Sequence, residues 1–254
     1  MSFSRLLPSQ QHLFAALAAT GLFLLPLTVL AEDSLTANGV VRNGKISGVR
    51  NGNAMIKFGP GEIGIPLNQI TAVSMPAPAG MARGLDLQEA GKLAEALAIL
   101  KPIADQFGGL PVDWAQKASA SVGDLYLSLE KSAEASAAYA KFKQLYPGAG
   151  LSLQADVGMA RVAAANNKLD EAKATLKPIV AGALTKADVT KAESAAYGQA
   201  YFTLGTIAEK ENNPSEALEN FLRTVTIFYA DRATTARAQE RADALRKNGG
   251  IAVP

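Results

Sequence analysis

Between Gly84 and Tyr229 the sequence sets out one ruler four times: a small residue, an alanine twelve positions on, and a bulky apolar residue four further. The settings are Gly84–Ala96–Leu100, Gly123–Ala135–Tyr139, Ala160–Ala172–Leu176 and Gly205–Ala217–Phe221, with Gly108, Pro147, Leu184 and Tyr229 eight positions beyond. A spacing of four keeps two side chains on one helix face. Repetition on this scale points to an array of helical pairs, none of which can bury its apolar face alone.

Cap signals divide the array into helices. Asp113-x-x-Gln116, Asn167-x-x-Asp170, Thr185-x-x-Asp188 and Asn213-Pro214-x-Glu216 each put a capping residue before a helical run. Pro214 falls at a first helical position, where its missing N–H costs nothing. Together with Tyr201-x-x-Leu204-Gly205 and Pro147, the pattern resembles the tetratricopeptide repeat. The resemblance implies a mainly α fold: a solenoid of about four helical hairpins over residues 83–247, closed by a polar-faced capping helix at Ala230–Lys247. Two departures stand out. The small residues are 39, 37 and 45 apart, against about 34 in the family, and the first and third settings lack the aromatic. The extra residues fall at Phe107–Val112, Gly148–Leu151 and Ala181–Val189, so either helices or loops are longer than standard.

In such repeats the first helices line a concave surface that holds an extended or helical peptide. Carrying the groove-facing offsets over gives Lys117, Ala120, Asp124, Gln154, Val157, Arg161, Gln199, Phe202, Thr206 and Glu209. Tyr139 and Phe221 are expected in the core. The family's carboxylate clamp needs Lys and Asn at points held here by Ala120, Asp124, Val157, Arg161, Phe202 and Thr206, so that clamp is absent.

Upstream the grammar changes. Gly39 to Met75 is glycine-punctuated and rich in Val and Ile, and Asn43-Gly44 and Asn51-Gly52 read as hairpin turns. Apolar stretches at Val40-Val41, Ile46–Val49, Ala54–Phe58, Ile63–Ile65 and Ile70–Val73 predict four or five strands in a small barrel or strongly bent sheet. The order of turns and strands resembles small SH3-like or Sm-like barrels. A β module of residues 32–75 is marginal alone; it packs either on the helices or on a second copy of itself. Residues 76–82, with Pro76 and Pro78, are expected to link it to the array, and residues 248–254 to form a frayed tail.

The N-terminus sets an expected compartment. Arg5, an apolar run from Leu13 to Leu30 and Val29-Leu30-Ala31 form the pattern of a cleaved signal peptide over residues 1–31. The competing reading is a retained anchor. After cleavage no membrane span is expected, and the protein is periplasmic or secreted.

Composition removes whole chemistries. There is no cysteine, and the single histidine, His12, lies in the expected signal peptide. Disulfides, thiol nucleophiles, histidine-based triads and Cys/His metal sites are therefore excluded from the mature chain. No cofactor or metal is expected. Gly59-Pro60-Gly61-Glu62-Ile63-Gly64 fits a dinucleotide fingerprint, but Ile65-Pro66 follows where a helix should open, so it reads as a hairpin turn. Ser128-Leu129-Glu130-Lys131 fits S-x-x-K without its partner motifs and reads as a helix end.

These features lead to the expectation of an exported, non-enzymatic adaptor that binds a protein or peptide through its repeats, in the organisation or assembly of the cell envelope. The alternative is a polyanion-binding β module, where Arg42, Lys45, Arg50 and Lys57 outnumber Glu62. Export and the scarcity of aromatics there argue against nucleic acid.

Overall fold

Paired left-handed residues set the first strand reversals. The computed structural model describes residues 33–148 and 150–249, the side chains of 248 and 249 excepted. The expected signal peptide and residues 250–254 of the expected tail lie outside the described residues. Six strands come first: β1 (Ser34–Ala37), β2 (Val40–Asn43), β3 (Lys45–Arg50), β4 (Asn53–Phe58), β5 (Gly61–Pro66) and β6 (Ile70–Ser74). They form two antiparallel sheets, ordered β2-β1-β6 and β3-β4-β5. Asn38-Gly39, with φ of 51° and 76°, joins β1 to β2, and Asn51-Gly52, with 50° and 73°, joins β3 to β4. Two successive positive-φ residues are what a two-residue hairpin requires.

The other expected turn, Asn43-Gly44, is not one. The chain passes through Gly44 directly from β2 into β3. A Cβ there would lie 2.3 Å from the Lys57 carbonyl oxygen, so this glycine serves close backbone approach rather than reversal. Strand β1 escaped the sequence reading, although Leu35 and Ala37 alternate and are buried. Gly59–Gly64 forms the β4–β5 hairpin, with Phe58 paired to Gly61.

This β region has no core of its own. Leu35, Ile46 and Ile56 share one buried cluster with Met81, Leu100 and Leu110 of the helical part. At a bulge in β3, Gln106 donates its side-chain N–H to the Ser47 carbonyl at 2.8 Å. Gly48 beside it has φ of 138° and would bring a Cβ within 2.7 Å of the Gln106 carbonyl oxygen. Only glycine lets the two backbones meet there.

Nine α-helices follow among the described residues: α1 (Gly80–Glu89), α2 (Leu93–Phe107), α3 (Asp113–Ser128), α4 (Ser132–Leu145), α5 (Ser152–Ala165), α6 (Leu169–Ala183), α7 (Lys191–Lys210), α8 (Pro214–Thr226) and α9 (Arg232–Gly249). The first eight pair into four hairpins and α9 closes the array. Helix α1 begins at Gly80, ahead of the boundary at 83 drawn from the sequence. The Met75 carbonyl, at the start of the connecting residues, accepts from Trp114 Nε1 at 3.2 Å. Trp114 also meets Phe107 edge-on, with ring centroids 5.2 Å apart.

The ruler lies at the hairpin contacts. Ala96, Ala135, Ala172 and Ala217 are fully buried, as are Leu100, Tyr139, Leu176 and Phe221. A Cβ added at Gly84, Gly123 or Gly205 would come within 2.6, 2.5 or 2.6 Å of Leu100, Tyr139 or Phe221 respectively. Of the marks eight positions further on, Gly108 is buried, whereas Pro147, Leu184 and Tyr229 are exposed. The first and third hairpins share a further likeness: Leu-Lys-Pro-Ile recurs in α2 and α6, with Pro102 and Pro178 inside the helices. Each proline removes one intrahelical hydrogen bond.

Of the four expected caps only Asn213 holds, its side chain accepting from the Glu216 N–H with Pro214 at the helix start. Val112 precedes α3 and Lys168 precedes α6, both without a side-chain cap bond, while Asn167 adopts φ of 60° to turn the chain between helices. Thr185 lies ahead of the helix start; α7 opens at Thr190, which forms a reciprocal capping box with Glu193. In the widest interval, Ala160 to Gly205, the extra length is therefore divided between the loop after Ala183 and the 20-residue helix α7.

The inner helical face as a candidate functional site

The first helices of successive hairpins are one another's neighbours. Helix α3 packs on α5, α5 on α7, and α7 on α9, whereas α4, α6 and α8 pack mainly on the first helices beside them. Closer spacing of one layer curves the array around it, so the first helices form the inner face.

On this face the ladder is polar. Asp124, from α3, is buried and accepts three hydrogen bonds: Tyr139 Oη at 2.7 Å, Arg161 Nη1 at 3.0 Å and Gln154 Nε2 at 2.5 Å. The same Arg161 nitrogen donates to Gln199 Oε1 at 3.0 Å, and Gln199 Nε2 donates to Asp231 Oδ2 at 2.8 Å. Asp231 caps α9 by accepting the Thr234 N–H at 3.1 Å. One chain of hydrogen bonds thus runs from α3 through α5 and α7 to α9. Every link satisfies a group that would otherwise be desolvated without a partner.

The electrostatics follow from burial and partners. Burial pushes the Tyr139 hydroxyl well above its usual range, and the Asp124 carboxylate adds to the shift. For Arg161 burial acts against the charge, but Tyr139, Asp124 and Asp231 outweigh it and raise the pKa. Burial likewise works to raise Asp231, yet hydrogen bonds from Gln199 and Thr234 leave it below the ordinary carboxylate range.

The face residues expected from the sequence divide into three groups. Asp124, Gln154, Arg161 and Gln199 form the ladder. Ala120 and Val157 are buried in the helix packing, at 1% and 0% exposure, because an inner-face offset beside a closely packed neighbour faces that neighbour. That leaves them no surface to offer a partner. Lys117 is exposed, and Phe202, Thr206 and Glu209 are partly so. The Phe202 ring lies 5.5 Å from that of Phe221, and Glu209 pairs with Arg241.

Sequence reasoning missed a further row on α9. Arg237 lies over the Phe202 ring at 4.7 Å, and Arg241 reaches Glu209. Thr234, Arg237 and Arg241 repeat the three-then-four spacing of Lys117–Ala120–Asp124 and Gln199–Phe202–Thr206. The signal lies in that spacing, which a reading of α9 as a polar cap leaves unused.

In the β region the excess positive charge is partly spent. Glu62 accepts from Ser47 and pairs with Arg50, and Arg42 donates to the Val40 carbonyl at 3.3 Å. A shallow cavity of about 410 Å³ opens there between Arg50, Lys57, Glu62 and Gln106. Among the described residues no group of three or more His, Cys, Asp or Glu could hold a metal ion, and no helix is long and apolar enough to cross a membrane.

Hairpins stacked through small-residue contacts, with first helices inside and a terminal helix closing the row, define a tetratricopeptide-like helical-repeat protein preceded by a small antiparallel β region. No family model and no curated protein matches the chain. Among solved structures it is similar to the nearly identical TPR-like repeats of a Podosopora anserina protein assigned to the kinesin light chains. One of these, a variant with a single substitution, is 17% identical with a TM-score of 0.45, covering 70% of this chain and 90% of that one. The other is 16% identical with a TM-score of 0.44, covering 68% and 86%.

Proposed function

We propose that the protein is an exported, non-enzymatic adaptor that holds an extended segment of a protein partner along its inner helical face, within the organisation or assembly of the cell envelope. The observation that carries this reading is the ladder from Asp124 to Asp231. It ties three first helices, α3, α5 and α7, to the closing helix α9 in one register and leaves a polar face with an aromatic platform at Phe202. A preorganised surface of that kind suits a segment that must be ordered on binding. The β region, sharing a core with the first hairpins, extends this rigid body rather than swinging from it. The absence of cysteine and of any histidine beyond His12 fits a binding role better than a catalytic one.

The test is site-specific photocrosslinking in cells, with the crosslinker at Lys117 or Thr206 on the inner face and at Glu134 or Lys177 on exposed parts of the second helices. Discrete adducts from the inner positions alone are the expected result. Adducts from the outer positions alone, or from none, would sink the assignment of the face. Export is tested separately by N-terminal sequencing of the protein recovered from cells, which should read Glu32-Asp33-Ser34.

A further inference from the structure

The carboxylates on the inner face are already engaged. Asp124 takes Arg161, Glu209 takes Arg241, and Asp231 takes Gln199 and the start of α9. Two of the cations are not. Neither Lys117, on α3, nor Arg237, on α9, makes an ion pair or side-chain hydrogen bond with any described residue.

Arg237 is the better placed of the two. Its guanidinium stands over the Phe202 ring at 4.7 Å, a cation–π contact that holds the fork on the face. The contact is with the ring face and uses none of the guanidinium N–H donors as hydrogen bonds to a described residue. The side chain as a whole is exposed. Its pKa is pushed down first by lost hydration and then by Arg161 and Arg241 nearby, the condition an incoming anion relieves. A planar, pre-positioned fork with open donors matches a carboxylate bidentately.

Resting on the reading that the inner face holds an extended protein segment, we infer that this segment is acidic and that an Asp or Glu side chain of it closes on the Arg237 fork beside Phe202. Lys117, at the other end of the face, gives a second point at which negative charge is favoured. Arg161 stays with Asp124 and Gln199, and stiffens the site without itself being the anchor.

The experiment is selection of random twelve-residue peptides displayed on phage against the intact protein, followed by affinity measurement on the selected peptides. Peptides enriched in Asp or Glu at one position are expected, binding about 10-fold more weakly to Arg237→Gln, as loss of a charge-assisted pair predicts. Changing that peptide Glu to Gln should cost about the same, and should cost nothing further against Arg237→Gln. Arg237→Glu should turn the selected preference to Lys or Arg, a gain that misfolding could not produce. Thr206→Trp, which obstructs the face, separates the two levels of inference. Peptides that lose binding to Thr206→Trp but show no acidic preference, or bind Arg237→Gln unchanged, overturn the acidic assignment and leave the face standing. Peptides indifferent to Thr206→Trp, or no selected peptide at all, overturn both.

Discussion

Replacing Gly158 by alanine tests the packing between hairpins at one atom. In an isolated helix this change is favourable by up to about 1 kcal/mol, because alanine loses less backbone freedom than glycine. Here the new Cβ would lie 2.3, 2.5 and 2.7 Å from Cζ, Cε1 and Cε2 of Tyr139. Ordinary contact begins about 1 Å further out. The ring has nowhere to retreat, since on its own hairpin it already meets Gly123, where a Cβ would lie 2.5 Å away. Its hydroxyl is held by Asp124 at 2.7 Å, and the side chain is fully buried. Overpacking of a rigid site costs about 1–3 kcal/mol, and a ring fixed on both sides belongs at the upper end. After the propensity gain the expected net loss is about 2 kcal/mol, a fall in melting temperature of about 4–8 °C for a chain of this size. Gly182, also in a helix but with nothing within 4 Å of where its Cβ would stand, is the control: Gly182→Ala should be neutral or stabilising. Both are read by urea titration followed by far-UV circular dichroism. Gly158→Ala in a Tyr139→Leu background should lose most of its cost. Equal responses at Gly158 and Gly182 would refute the contact as the reason for glycine at 158.

Other expectations follow from the same geometry. Asp124→Ala removes the acceptor for Tyr139, Gln154 and Arg161 and leaves a largely buried arginine uncompensated, which should cost about 3 kcal/mol in the same titration; Tyr139→Phe should cost about 1–2 kcal/mol. Glu193, bonded by Lys186 and then by the Thr190 N–H and hydroxyl, has its pKa lowered from 4.5 to about 2. A depressed carboxylate stabilises above its unfolded pKa, so its support for the start of α7 should be full above about pH 4.5 and fade toward pH 2. Amide exchange at Ser194 should report that fading, and Glu193→Gln should abolish the pH dependence. Because the strands and the first hairpins share a core, a chain beginning at Pro76 loses Leu35, Ile46 and Ile56 from that core and should melt well below the intact protein. Asn213→Ala should cost about 1 kcal/mol through loss of its cap.

What the sequence determined by itself was the hairpin. Gly123, Ala135 and Tyr139 lie within one helix pair, so the contact among them is an arrangement of near neighbours along the chain. Helix periodicity is enough to read it, and the same holds for Asn51-Gly52, where the turn is made by the residues that name it. The tertiary structure decided whatever depends on which elements become neighbours. Gly158 had to stay small because Tyr139 arrives from the preceding hairpin, and Gly44 because Lys57 arrives from another strand. Ala120 and Val157 looked like groove positions by offset alone, yet close packing of the first helices buries them. Asp124, Gln154, Arg161 and Gln199 could be placed on one face from their spacing, but their spacing could not say that they bond to each other or that Asp231 ends the row. Arg237 lay in a helix that local pattern marked only as a cap. The physical reason is common to all of these: periodicity records the direction of a side chain from its own helix axis, while burial and charge pairing depend on what stands opposite, which only the packed array supplies.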